Sequence, residues 1–536
     1  MQLYQDNANM ISNFFTETYL VEIILIAFST FLLRFKSASQ YSSDDINTTQ
    51  RIRNNYSKIF INYHNSQSLF TGFNGNPNLQ YWLLSKMPGK SKLLYGRYAN
   101  ILYDFLSALA IYYFINLIFF FEISIFFSYG FYTAIIFVTH PSLIPLTERM
   151  AGVKARSLGA LLSYVCLILF YFILENNQFL SKEYLILISF IFLLLHLAIL
   201  SGAMGMQVII FFLFSLSLVY SEYFFIVLLT IYIVSGCLFD FLGIKKVLIH
   251  KINHYWWYYK SFKDSPAQDK IFNFKLIKDK NIKSLVSYLF TRSISLSIIY
   301  SIPSLFVLYT TWFYNNNFTN PLLLYSICIL AISIFISILT SFWPFAIFGD
   351  GERYQEYSAG FVFLPVIYFE DLTSIYSFLI ILIFNLLINT IFYLIRKKRE
   401  KILASKKLVT DNNYYDEIQI LDFLKKQDDV RAVHCYPTKN VFAFLSHDKK
   451  YDFIKFFIPH TSIKLDGFQK DLEIQSHYNV PKKDINILRK YFTHFIIPKS
   501  FMSEINQDEF IEWLLQYFSI IFKNNKYIIL KINNID

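Results

Sequence analysis

The chain has 536 residues, of which 55% are hydrophobic, 20% aromatic and only 16% charged, and its mean hydropathy is +0.38. Soluble globular chains carry roughly 25% charged residues, so the composition excludes an ordinary soluble protein and indicates a multi-pass membrane protein. The net charge of +11 is spread unevenly; its placement bears on orientation in a membrane, and no nucleic-acid partner is expected.

Residues Met1 to Thr16 lack the basic segment and the small-residue cleavage site of a signal peptide, so the first apolar run is expected to be retained. About eleven candidate spans follow from the apolar runs, near 18–34, 99–120, 123–140, 158–176, 183–200, 204–221, 222–243, 286–313, 320–347, 356–369 and 372–395. The run 356–369 is short for a span and reads as a re-entrant or interfacial piece. Because lipid offers no partner to a free backbone group, these runs are expected to be helices.

Between the first two spans lies a long polar loop, 36–100. It carries Ser42-Ser43-Asp44-Asp45-Ile46-Asn47-Thr48-Thr49, a patch Gly72-Phe73-Asn74-Gly75-Asn76-Pro77-Asn78, and then Tyr81-Trp82-Leu83-Leu84. Two adjacent carboxylates held against a helical bundle suit metal binding or proton uptake. The plainer alternative is Asp44 capping a short surface helix, with Asp45 solvated.

Lys and Arg crowd the loops 36–100, 141–157 and 244–285 and the stretch Arg396-Lys397-Lys398-Arg399 after the last span. With eleven spans all four fall on one side, which the positive-inside rule makes cytoplasmic. That places the C-terminal domain inside; the expected location is a plasma (inner) membrane of a cell envelope, which the chain crosses many times. The domain boundary is read at 399, with a polytopic membrane domain at 1–399 and a small soluble α/β domain at 400–536. In the latter, Glu417 to Lys425 is amphipathic, Gln507 to Phe518 reads as helix, and strands are expected at Ala432 to Tyr436, Val441 to Leu445, Phe495 to Pro498 and Tyr527 to Ile532. The histidines of this domain lack ligand spacing and read as packing or surface groups. Cys166, Cys237, Cys328 and Cys435 form no CxxC pair, so neither a disulfide framework nor a zinc site is expected.

Ionisable groups at membrane depth are costly and suggest function; Glu22, Asp104, His196 and Arg292 lie in or near spans. Two loops say more. Thr139-His140-Pro141-Ser142-Leu143-Ile144-Pro145 leads to Glu148-Arg149 and then Lys154-Ala155-Arg156. Phe348-Gly349-Asp350-Gly351-Glu352-Arg353-Tyr354-Gln355-Glu356-Tyr357 follows an aromatic span. Arg149, Lys154, Arg156, Glu352, Arg353 and Tyr354 together look like a rim for a phosphate or a sugar, because the Arg fork donates two hydrogen bonds to a phosphate. The alternative is topological, with the cations only holding these loops on one side.

An Asp-Asp loop after the first span, a polar amphipathic segment and a dense helical bundle resemble the GT-C superfamily of integral-membrane glycosyltransferases. The run Gly351-Glu352-Arg353-Tyr354-Gln355-Glu356-Tyr357 and the closing stretch Tyr491 to Pro498 with Ile520 to Ile529 are similar to features of its bacterial members. The resemblance implies transfer of a sugar from a polyprenyl-phosphate-linked donor to a glycan, lipid or protein acceptor. It implies Asp44 or Asp45 as base on the acceptor hydroxyl or as ligand of a divalent cation, Mg or Mn. Arg149, Arg156 and Arg353 would neutralise the departing phosphate, and Tyr354 would bond it or a sugar hydroxyl. One implication conflicts with the charge count: the family's acidic loop faces away from the cytoplasm. A transporter or flippase of lipid-linked sugars and a non-catalytic scaffold are the other readings; no internal repeat of the transporter kind is visible.

Overall fold

The computed structural model describes residues 17–38, 72–74, 79–87, 92–120, 127–144, 156–175, 181–201, 203–239, 293–314, 320–342, 345–349, 351–369, 371–405, 415–427, 433–435, 463–465, 493–499 and 508–533, with a few more between 243 and 255 and at 430 and 486. Apart from 356–369 and the end of 320–347, where the helix stops at Leu339, the described part of each apolar run is essentially α-helical, as internal satisfaction of the backbone demands. In chain order the helices are α1 (Glu17–Ala38), α2 (Leu79–Lys86), α3 (Lys92–Ile118), α4 (Tyr129–Thr139), α5 (Arg156–Glu175), α6 (Lys182–Ser201), α7 (Ala203–Val219), α8 (Tyr223–Leu238), α9 (Ser293–Tyr314), α10 (Pro321–Leu339) and α11 (Asp371–Ser405). Among the described residues six helices are long and apolar enough to cross a membrane: Tyr98–Ile118, Arg156–Glu175, Lys182–Ser201, Leu296–Phe313, Pro321–Leu339 and Thr373–Leu394. The protein is a multi-pass membrane protein. The loop 36–100 is shorter than its polarity suggests, because α2 lies within it and α3 begins at Lys92.

The run 356–369 differs from expectation in kind. It belongs to a longer series of 3-10 turns, Phe345–Phe348, Gly351–Tyr357, Ala359–Phe361 and Leu364–Tyr368. The series runs antiparallel to α10 along its whole length. Ser337 Oγ donates to the Gly351 carbonyl (2.7 Å) and Ser333 Oγ to that of Tyr354 (3.2 Å). Farther along, the rings of Phe361 and Tyr325 meet at 6.2 Å, and Tyr368 bonds Asn320, the N-cap of α10. A helix of 19 residues is about 28 Å long, close to the hydrocarbon core of a bilayer at about 30 Å. Irregular backbone survives at such depth only when protein surrounds it, and from Tyr354 to Ile367 every residue is buried. Ser333 and Ser337 are four residues apart, so one face of α10 supplies hydroxyls to this wall. Gly351 and Gly360 sit where a Cβ would overlap Ser337 and Ile111.

Two compact units emerge: Met1–Gln40 with Leu94–Val234 and Asp269–Lys398, and Tyr41–Leu93 with Ser235–Gln268 and Arg399–Asp536. The first is the helical bundle. In the second, the tail contributes α12 (Tyr415–Lys425), α13 (Asp508–Leu515) and a four-stranded sheet. The strands are β2 (Val433–Cys435), β4 (His494–Pro498), β5 (Phe518–Lys523) and β6 (Tyr527–Ile532), in the order β2-β4-β6-β5. Ile420, Leu421 and Leu424 of α12 pack on Ile496 and Ile529 of the sheet. β5 begins where the expected helix 507–518 was to end, and Val441 to Leu445 lies outside the described residues. A separate antiparallel pair joins β1 (Gly72–Asn74), in the polar loop, to β3 (Ile463–Leu465), in the tail. Paired strands share one side of a membrane, so Gly72–Asn74 and Ile463–Leu465 do as well.

Candidate functional site

Polar side chains collect where α1, α4 and α10 end and where α5 and α9 begin. Arg34, near the end of α1, is fully buried; its Nε donates to Asp104 Oδ2 of α3 (2.5 Å) and its Nη1 to the Val138 carbonyl of α4 (3.1 Å). Next to Val138, the Thr139 carbonyl accepts from Asn389 Nδ2 of α11 (2.8 Å), and Thr139 Oγ1 accepts from Asn385 Nδ2 (3.4 Å). His140, also buried, meets Ser142 Oγ through Nδ1 (2.7 Å). Four helices are thus tied at one place, each by a group that would be costly in lipid without its partner.

A second cluster adjoins it. Arg156, at the start of α5, forms a two-point ion pair with Glu356 of the 3-10 wall, with Nε to Oε2 at 2.9 Å and Nη2 on Oε1. Arg156 is 11% exposed and Glu356 not at all. Tyr164, two turns into α5, donates its hydroxyl to the Glu356 carbonyl and lays its ring against Phe137 of α4 at 5.2 Å. Tyr354 is buried, with its hydroxyl shared between Gln207 Nε2 and the Phe348 carbonyl. Glu352 and Arg353 are partly exposed on the same turn, and Tyr300 of α9 lies within electrostatic reach of Glu352, Glu356 and Arg156.

Of the residues singled out in the sequence, Arg156, Glu352, Arg353 and Tyr354 are therefore brought to one locality. Asp44, Asp45, Arg149, Lys154 and Arg292 lie outside the described residues. Glu22 and Asp104 are buried and bonded, and His196 Nδ1 meets the Tyr232 hydroxyl at 2.7 Å. Among the described residues, no three His, Cys, Asp or Glu side chains are grouped to hold a metal ion. Sequence reasoning passed over Arg34 and Glu356. The available signal was an Arg at the end of the first apolar run, and a second carboxylate four residues after Glu352.

No family model and no curated protein sequence matches the chain. Solved structures do. The apo oligosaccharyltransferase of Archaeoglobus fulgidus superposes with a TM-score of 0.51 at 9% identity, over 92% of this chain and 71% of that one. The same enzyme, tethered to an acceptor peptide containing the NVT sequon, gives 0.50 at 9% identity, over 96% and 74%. ArnT from Cupriavidus metallidurans in its apo state gives 0.39 at 8% identity, over 96% and 97%. The chain shares the overall fold of that oligosaccharyltransferase. At this identity the likeness is one of architecture and carries no residue from one chain to the other. Within this fold, the charges that converge at the end of α1 and the start of α5 are mostly mutually compensated. What the cluster offers chemically is a polar rim with Glu352 and Arg353 at its partly exposed part.

Proposed function

We propose that the protein transfers a sugar from a lipid-phosphate-linked donor, a polyprenyl phosphate in the first instance, to a glycan, lipid or protein acceptor. In the step, the acceptor hydroxyl oxygen bonds to the anomeric carbon while the bond from that carbon to the donor phosphate oxygen breaks. The hydroxyl proton passes to Asp44 or Asp45, and the lipid phosphate leaves with its electron pair and negative charge. Arg353, with Arg149 and Lys154, is assigned to that charge. Arg156 shares its guanidinium with Glu356, so its part is to hold the wall and add to the local potential. Glu352 and Tyr354 shape the sugar side of the same turn. If a divalent cation takes part, Asp44 and Asp45 are the ligands assigned to it, and it would supply countercharge for the phosphate.

The observation behind this reading is the convergence of Arg34–Asp104, His140 and the Arg156–Glu356 pair at one end of a GT-C-like bundle. The loop with Asp44-Asp45 and the loop with Arg149 and Lys154 both leave the bundle there. The test is to incubate membranes containing the chain with radiolabelled polyprenyl-phosphate-linked sugars. Label is expected to leave the lipid phase with the native chain and to stay there with Asp44→Asn/Asp45→Asn. Equal transfer by that variant would refute the assignment.

A further inference from the structure

Helix α1 carries two buried charges, Glu22 and Arg34, twelve residues apart, or about 18 Å along a helix. Alongside it α4 has 11 residues, or about 16 Å. The two charges fall on the two ends of α4. At its start, Glu22 Oε1 accepts the N–H of Ser128, the N-cap residue, at 2.6 Å, and Oε2 accepts the Ser128 hydroxyl at 2.8 Å. The Tyr112 hydroxyl adds a third donor to the same carboxylate at 2.8 Å. Three donors thus converge on this one carboxylate. At the other end, Arg34 Nη1 donates to Val138, one of the last carbonyls of α4. An anion at a helix N-terminus and a cation at its C-terminus both oppose the helix dipole favourably, and the more so out of water.

We propose that Glu22 and Arg34 form a two-ended clamp that fixes α4 in register with α1, and that Arg34 is thereby a positioning residue for the loop leaving α1. The geometry supports a role beyond packing. Arg34 is followed within a turn by the polar loop that carries Asp44 and Asp45, and the carbonyl it holds lies two residues before His140, where the loop with Arg149 begins. Its other partner, Asp104, adds α3, the helix that follows the polar loop in the chain. One guanidinium thus sets the roots of both loops against each other. A lysine keeps the charge but has no fork to reach Asp104 and Val138 together. This proposal rests on the sugar-transfer reading for its catalytic consequence, though not for its geometry.

The experiment uses the full chain in nanodiscs, without its native cysteines, and spin-labelled through Ala38→Cys and Ile144→Cys. The distance between labels, read by pulsed electron resonance, is expected to be narrowly distributed in the parent and broad in Arg34→Gln. Arg34→Lys, which retains the charge, is expected to fall between them and serves if the glutamine variant does not fold. Glu22→Gln broadens the distribution too, because both charges hold one rigid helix. In the transfer assay Arg34→Lys is expected to lose about 10- to 100-fold in kcat at an unchanged donor KM, as for a misplaced catalytic group. An unchanged distance distribution in the Arg34 variants, or a native kcat in a variant whose distribution has broadened, overturns the proposal. If no lipid-linked sugar is turned over by the parent, the sugar-transfer reading fails, while the distance measurement still decides for or against the clamp.

Discussion

Arg156→Met tests the best-defined ion pair of the candidate site. The substitution leaves the Glu356 carboxylate, which has no solvent exposure, without its two-point partner. Removing one member of a buried pair costs about 3–5 kcal/mol, because the remaining charge is stranded in low dielectric. At about 2 °C per kcal/mol for a unit of a few hundred residues, the apparent melting temperature should fall by on the order of 6–10 °C. Replacing both residues, with Arg156→Met/Glu356→Leu, removes the stranded charge and should return most of that loss, since apolar replacement of a whole buried pair is often neutral. The assay is thermal unfolding in detergent at one protein and detergent concentration, followed by intrinsic fluorescence. A single variant as stable as the native chain, or a double variant as unstable as the single one, would refute the reasoning.

Three further outcomes follow from the geometry. Gly351→Ala drives its Cβ into the Ser337 carbonyl and should destabilise by about 1–3 kcal/mol, whereas Gly159→Ala, whose Cβ meets Gly205 Cα at 3.5 Å, should be near neutral; melting of the two side by side decides. Tyr354→Phe removes a hydroxyl that Gln207 holds, but Gln207 keeps the Phe348 carbonyl at 2.7 Å, so the loss in the same assay should be only about 1 kcal/mol. Phe73→Cys/Lys464→Cys, at the central register pair of β1 and β3, should form a disulfide on mild oxidation. A mobility shift lost on reduction reports it, and its absence counts against the pairing.

Much of the fold is legible in the sequence because hydrocarbon imposes one simple rule on backbone. The apolar runs near 158–176 and 183–200 became α5 and α6 with ends shifted by a residue or two. The 356–369 part of the wall was legible as a departure from a span but not as a 3-10 crossing, and 345–347 was read as the end of the span 320–347. Its conformation depends on hydroxyls of α10 that lie next to it only once the bundle is packed. The paired charges were harder still. Arg34 and Asp104 are 70 residues apart and Arg156 and Glu356 are 200 apart, so neither pair leaves a local pattern. Within the tail, the helix of Glu417 to Lys425 was readable from its apolar period. The β5 strand was not, since Phe518 to Lys523 carries apolar residues that suit the end of a helix equally well. β1 was missed for another reason: Gly72 and Asn74 are residue types that strands avoid, and the segment pairs with one nearly 400 residues on.

The most direct measurement is photo-crosslinking of the purified chain with a benzophenone-bearing polyprenyl phosphate, followed by mapping of the labelled peptides. A lipid phosphate handled at the polar rim should label the stretch around Glu352 and Arg353 and the start of α5, and excess unlabelled polyprenyl phosphate should compete that label away. Label confined to outward-facing residues such as Phe28, Leu32 and Ile383, unaffected by the competitor, would mean that the rim does not bind the lipid phosphate.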